Sequence, residues 1–205
     1  MLIRCSSLPK IMTSPRSKSE VLSQTAISYI KQLAKEDFYG YKTQLDNKYI
    51  NKGIQCEQNS IDLLNSVLFT SYEKNKERLS NDFLTGEADI VAENEIIDVK
   101  TSWSLDTFPA LPSDINSKDY EMQLRGYMML YNKPFASVCY CMVSTPDELY
   151  TWESEQIHFV DEILPEKRIT MLKFERDEAI EKDIEAKCTE AIKYYNEYFN
   201  QLVNK

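Results

Sequence analysis

The chain reads as an α/β (α+β) fold with a central mixed β-sheet flanked by helices, and three observations lead there. Segments with apolar residues at helical spacing interleave along the sequence with short β-type runs. The apolar run FASVCYCMV, residues 135–143, has the length and composition of a buried strand. Only four glycines and seven prolines punctuate 205 residues, and no repeat or low-complexity stretch marks a linker, so one domain over residues 1–205 is expected.

Taken in order, residues 2–12 (LIRCSSLPKIM) read as a short extended piece turning at Pro9. From about Ser19 to Glu36, Val21, Leu22, Ile27, Ile30 and Leu33 recur at helical spacing, and Gly40 closes the element. A second helix is expected from roughly Asn47 to Phe69, with Ile50, Ile54, Ile61, Leu64, Val67 and Leu68 on its inner face. Polar residues 71–82 lead to strands near 83–92 and 95–101, a proline-containing loop to about 118, and a helix over about 119–131. After the strand at 135–143, KRITMLKFE (167–175) alternates like a half-exposed strand. The final helix, 178–203, carries charge pairs at i,i+4 on one side and Ile180, Ile184, Ile192, Tyr195, Phe199 and Leu202 on the other.

Composition excludes several function classes. A net charge of −9 argues against a protein that coats nucleic acid, since that work rests on neutralising phosphates. The charge is uneven: residues 1–60 hold nine Lys/Arg against five Asp/Glu (+4), whereas 61–205 hold fifteen against twenty-eight (−13). The first segment can therefore face a polyanion, although solvated helix faces are the plainer account. No apolar run approaches the roughly 18 residues of a membrane span, so a soluble, cytoplasmic protein is expected. The five cysteines are scattered and odd in number, which fits reduced thiols, and with no CxxC and a single histidine structural zinc is not expected. His158 has no nucleophile-elbow serine or cysteine with it, and no glycine-rich loop cradles phosphate. The aromatic cluster Tyr194, Tyr195, Tyr198 and Phe199 lies at helical spacing, as core or subunit contact would.

The stretch GEADIVAENEIIDVKTS, residues 86–102, carries the chemistry. If Glu93 and Asn94 form a two-residue turn, paired positions sum to 187 and Asp89 stands directly opposite Asp98. Like charges there repel, so a positive group should sit between them. Alternation puts Lys100 on the face of Asp98, with Ile97 and Val99 on the other side. A three-residue turn would instead set Ile90 opposite Asp98. Two carboxylates held by a sheet are hard oxygen ligands of the kind that bind Mg²⁺ or Mn²⁺, and such an ion lowers the pKa of bound water and offsets charge building on a phosphate. An exposed acidic hairpin with one lysine partner is the plainer account of the same residues.

These residues resemble the PD-(D/E)XK nuclease superfamily, and more narrowly its phage lambda exonuclease, YqaJ-like viral recombinase and RecB-like branch. Ala88-Asp89 stands for the Pro-Asp, and Asp98-Val99-Lys100 for the (D/E)-x-K. GIQCEQNSIDLL resembles the helix that supplies an additional ligand, here Glu57, and YEMQLRGYMML resembles the Q-x-x-x-Y motif, with Gln123 and Tyr127 one turn apart on one helical face. RCSSLPKIMTSP and FERDEAIEKDIEAKCTEAI resemble the first and last segments of the phage enzymes. Ala88 departs from the usual proline, and Asp98 is shorter than the glutamate of some relatives. The four clustered cysteines of the iron-sulfur branch are missing.

The resemblance implies a restriction-endonuclease-like core over about 50–145, a DNA-receiving helical segment over about 1–70 and a closing strand and helix over about 165–205. It implies Mg²⁺, or Mn²⁺, held by Asp89, Asp98, the Val99 carbonyl and Glu57, with Lys100 positioning the attacking water and Gln123 and Tyr127 holding the site or the strand being cut. Arg4, Ser6 and Ser7 are candidates for a terminal phosphate, where a simple turn is the alternative, and Trp103 is a candidate DNA contact, with burial the alternative. The implied activity is a 5′-to-3′ exonuclease on double-stranded DNA ends, acting in recombination with a single-strand annealing protein, in the host cytoplasm if phage-encoded, as a homo-oligomer such as a ring of three. A structure-specific endonuclease of the same fold and a non-catalytic DNA-binding or assembly relative are the two rival readings.

Overall fold

The structure is a computed structural model that describes residues 1–17, 19–42, 46–150 and 155–205. Ile3–Arg4 (β1) opens the chain, and a single 3₁₀ turn, Cys5–Ser7, leads into the short helix Leu8–Ile11 (α1). Pro9 therefore does not turn an extended piece, as expected from sequence; it sits in the first turn of α1, where its missing N–H costs nothing. Helix α2, Gln24–Tyr39, starts one turn later than its apolar spacing predicts because the Ser23 hydroxyl caps it, accepting from Ala26 N at 3.0 Å. Gly40 ends it at φ +68, a left-handed position that favours glycine.

The helix expected over 47–69 is two helices, α3 (Lys48–Gln55) and α4 (Glu57–Leu68), broken at Cys56. Ile50 and Ile54, expected on an inner face, are exposed, because α3 turns its lysine inward instead: Lys52 is 1% exposed and donates to the carbonyls of Trp103 (2.8 Å) and Val143 (2.9 Å). Helix α4 ends at Phe69 with φ +57, and Asn65 folds the following chain back, accepting from Tyr72 N at 2.8 Å and Thr70 Oγ1 at 2.9 Å.

Two mixed sheets follow. Leu79–Ser80 (β2) and Leu84–Gly86 (β3) join β1 in the order β1-β3-β2, with β1 parallel to β3. Ile90–Val91 (β4) and Glu95–Thr101 (β5) begin the second sheet, which Phe135–Cys141 (β6) and Ile169–Glu175 (β7) complete in the order β4-β5-β6-β7. β5 and β6 are parallel, and the other pairs are antiparallel. The segment 83–92 is thus not one strand: at Glu87–Asp89 it leaves the first sheet before entering the second. The peptide groups so released are satisfied elsewhere. Asn75 N donates to Asp89 O at 2.7 Å, Asn75 Nδ2 to Ala88 O at 2.9 Å, and Ala88 N to the Tyr131 hydroxyl at 3.3 Å.

Ser117–Tyr131 (α5) connects β5 to β6, the crossover that a parallel pair requires. The last two helices are Glu155–His158 (α6) and Glu178–Val203 (α7), the latter capped by Asp177, which accepts from Ala179 N and Ile180 N. Three apolar clusters hold these parts. One joins α1, α2 and α7; a second packs α4 on Ile97, Val99, Cys139 and Cys141; a third packs α5 on Ile96, Ala136 and Val138. The four-stranded sheet is therefore covered on both faces, so a polar group in the middle of β5, such as Asp98, is held in a buried setting. Among the described residues no helix is long and apolar enough to cross a membrane.

Candidate active site

The β4–β5 hairpin has the two-residue turn. Ile90 pairs with Ile97 and Val91 with Ile96, and Ala92 N donates to Glu95 O at 2.8 Å. Continuing that register sets Asp89 beside Asp98, and Asp89 Oδ2 accepts from Val99 N at 2.8 Å. Ile97 and Val99 enter the α4 cluster, as alternation predicts, while Asp98 and Lys100 turn toward α5.

Asp98 is 2% exposed. Its Oδ1 accepts from Gln123 Nε2 at 3.0 Å, and its Oδ2 lies 2.6 Å from Lys100 Nζ without receiving a well-directed hydrogen bond. Burial pushes the Asp98 carboxyl up from its ordinary range; Lys100 opposes that and Asp89 adds to it. Burial works against the Lys100 charge as well, but Asp98 beside it outweighs burial and holds the ammonium above the usual lysine range. Lys100 therefore rests as a cation against Asp98 in the metal-free site. The Tyr127 hydroxyl accepts from Gln123 Nε2 at 3.3 Å, its ring buried in the α5 cluster.

Sequence reasoning missed Lys74. Its Nζ lies 2.6 Å from Glu57 Oε1 and 2.7 Å from Asp89 Oδ1, so the positive group expected between two carboxylates exists, but between Asp89 and Glu57. Hydrogen bonds to Asp89 and Glu57 raise its pKa despite partial burial. Nothing in the polar run 71–82 sets Lys74 apart. Also missed was the aromatic flank of Lys100: Tyr140, its register partner on β6, meets Tyr120 of α5 hydroxyl to hydroxyl at 2.5 Å, with Lys100 Nζ 5.8 Å from the Tyr120 ring centre.

The remaining candidates have other partners. Arg4 and Ser6 are exposed on the N-terminal segment, whereas Ser7 is buried with its Oγ 2.6 Å from the Tyr29 hydroxyl; Arg4 and Ser7 line a cavity of about 230 Å³ with Lys42, Glu36 and Asp37. Trp103 is 7% exposed, with Tyr49 and His158 against its edges and faces and Lys48 Nζ 4.5 Å from its ring centre. His158 is a core residue, its Nδ1 2.9 Å from Thr145 Oγ1 and its ring stacked on Tyr150. All five cysteines are buried thiols.

Among the described residues, no three His, Cys, Asp or Glu side chains stand close enough to hold a metal ion between them. The donor chemistry nonetheless fits a hard divalent cation. Asp89 and Asp98 supply carboxylate oxygens, and both acids already rest against ammonium groups, Lys74 and Lys100, where a cation's charge would fall.

Among solved structures, the chain is similar to a phage-related exonuclease from Haemophilus somnus 129PT, at 32% identity and a TM-score of 0.91, over 98% of this chain and 96% of that one. The alkaline exonuclease LHK-Exo from Laribacter hongkongensis shares the fold at 12% identity and a TM-score of 0.72, over 99% and 92% of the two chains. Its complex with dAMP does so at 11% and 0.70, over 98% and 91%. No protein-family model and no curated protein sequence matches the chain. With the Asp98-Val99-Lys100 strand, the opposed Asp89 and the Gln123 contact set in a fold shared along nearly its whole length with a relative of this identity, the chain belongs to the phage-type exonuclease family of the PD-(D/E)XK superfamily.

Proposed function

We propose that this protein is a Mg²⁺-dependent deoxyribonuclease, with Mn²⁺ as an alternative ion, that resects double-stranded DNA from its ends in the 5′-to-3′ direction. The observation that carries this reading is the buried Asp98, held between Lys100 and Gln123 on the strand opposite Asp89. The similarity to a phage-related exonuclease supports the end-directed activity. Polarity, a single-strand annealing partner, homo-oligomeric assembly and action of the whole chain as one nuclease domain extend that similarity.

Asp89, Asp98 and the Val99 carbonyl would hold the ion, with Glu57 as a further oxygen donor. When bound, it supplies Lewis-acid stabilisation of phosphate charge and an acidified water. Lys100 keeps its proton and places a positive charge beside Asp98, where it orients the attacking water and offsets charge on the phosphate oxygens. Gln123 fixes Asp98 Oδ1, so the acid presents Oδ2 in one direction. The Tyr127 hydroxyl in turn orients the Gln123 amide. In-line attack breaks the bond from phosphorus to the 3′ oxygen, leaving a 5′-phosphate and a 3′-hydroxyl.

Incubation with end-labelled linear duplex and with covalently closed circular duplex, with and without Mg²⁺, tests the proposal. Metal-dependent release of nucleotides from the linear DNA alone is expected. Cutting of the circle points to the endonuclease reading, and binding without cleavage in either form removes the enzyme reading.

A further inference from the structure

Lys74 is placed with more care than a surface lysine needs. Asn65 folds the chain after α4 back on itself, and Asn75 then fastens to the backbone of Ala88 and Asp89, with its Nδ2 also 3.2 Å from the Tyr131 hydroxyl. That anchorage delivers the neighbouring Lys74 Nζ to Glu57 Oε1 and Asp89 Oδ1 together. Asp89 cannot turn away, because its other oxygen accepts from Val99 N. The ammonium so bridges two carboxylates that would otherwise repel each other. A Mg²⁺ ion sits about 2.1 Å from each ligand oxygen and tolerates little distortion. On those two oxygens it would stand roughly 4 Å from Nζ, so the two positive charges compete for the same acids. The lysine also has somewhere to go. Its side chain is 26% exposed and borders an open groove of about 800 Å³ lined by Gln58, Tyr72, Asn75, Lys76 and Glu77.

We propose that Lys74 is a displaceable internal cation: it holds Glu57 and Asp89 together before metal arrives, competes with the divalent ion for them, and swings into the groove when the ion binds. The inference rests on the metal-dependent reading above and concerns how the site is loaded. Divalent affinity is weakened by the lysine in this arrangement, and the apo site is kept from springing apart.

Mn²⁺ titration of the DNA-free protein, followed by calorimetry and by the electron paramagnetic resonance of free Mn²⁺, tests this in wild type, Lys74→Met and Lys76→Met. Lys74→Met is expected to bind Mn²⁺ about tenfold more tightly, in line with removing a like charge from contact range. Lys76→Met removes the same charge two residues away and should change affinity by less than about twofold. In thermal melts, Lys74→Met should unfold at a lower temperature than wild type without metal and gain more from added Mn²⁺. Equal affinity in wild type and Lys74→Met overturns the role of Lys74 alone, as does equal tightening by Lys76→Met. Failure of wild type and Lys74→Met to bind Mn²⁺ at all overturns both this inference and the metal-dependent reading beneath it.

Discussion

Gln123 Nε2 lies 3.0 Å from Asp98 Oδ1, joining the middle of α5 to the middle of β5 across 25 positions of sequence. The bond matters because Asp98 is almost wholly buried: an acid there stays charged only if its surroundings supply donors and a cation, and Gln123 and Lys100 are what α5 and β5 provide.

Asp98→Asn keeps the shape of the side chain and removes its charge. Turnover on linear duplex should fall at least about a hundredfold, whereas circular dichroism should show an unchanged fold. Turnover within a few-fold of wild type would remove Asp98 from the site.

Lys100→Met should depress kcat by about a hundredfold or more while changing duplex affinity much less, if its charge acts on the reacting phosphate as proposed. Steady-state kinetics beside a binding assay in Ca²⁺ separates the two effects. A raised KM with intact kcat would assign Lys100 to DNA binding only.

Gln123→Leu and Tyr127→Phe should differ. The first strips Asp98 Oδ1 of its donor and should cost activity about tenfold or more, in keeping with about 1.5–3 kcal/mol for a hydrogen bond to a charged group. The second leaves the buried ring in place and loses one long contact of 3.3 Å, so activity should stay within about fivefold. Equal losses would mean that the tyrosine hydroxyl meets substrate itself.

Burial pushes the Lys52 ammonium down to about 8 from its ordinary value of 10.5. Between those values the unfolded chain holds a proton that the folded chain has released, so stability from this group rises as pH climbs from about 8 toward 10.5 and is flat below about 8. Above about 8 the neutral amine still has N–H groups for the Trp103 and Val143 carbonyls. Urea unfolding of wild type and Lys52→Met at pH 7, 8 and 10 should show the stability difference constant between the first two and wider at the third. A difference that shrinks toward pH 10 would contradict the burial described.

Two helical glycines should respond in opposite directions to alanine. In α3, a Cβ at Gly53 meets nothing within 4 Å, so Gly53→Ala should stabilise by about 0.5–1 kcal/mol. In α5, a Cβ at Gly126 would lie 2.6 Å from Leu8 Cδ1 and 3.0 Å from Cys5 Sγ. Both neighbours are fully buried, so overpacking of about 1–3 kcal/mol should outweigh the helical gain. Chemical denaturation of the two variants reads both signs.

The sequence alone determined what depends on near neighbours. Period-two alternation put Lys100 on the face of Asp98, whereas the two-residue turn at Glu93-Asn94, which brings Asp89 near Asp98, stood beside a three-residue alternative until the structure decided between them. Helical spacing put Gln123 and Tyr127 on one face, and the final helix was legible to its ends because Asp177 caps it and its apolar stripe is regular. Only the tertiary structure decided that Lys74 would bridge Glu57 and Asp89, 17 and 15 positions away, and that Lys52 would be buried against a carbonyl 91 positions away. It also decided the break at Cys56 and the exit of Glu87–Asp89 from one sheet toward another. A lysine carries no local mark of whether it will face water or an acid; that depends on which distant chain closes over it, and on whether that chain brings the oxygens that make a buried ammonium tolerable.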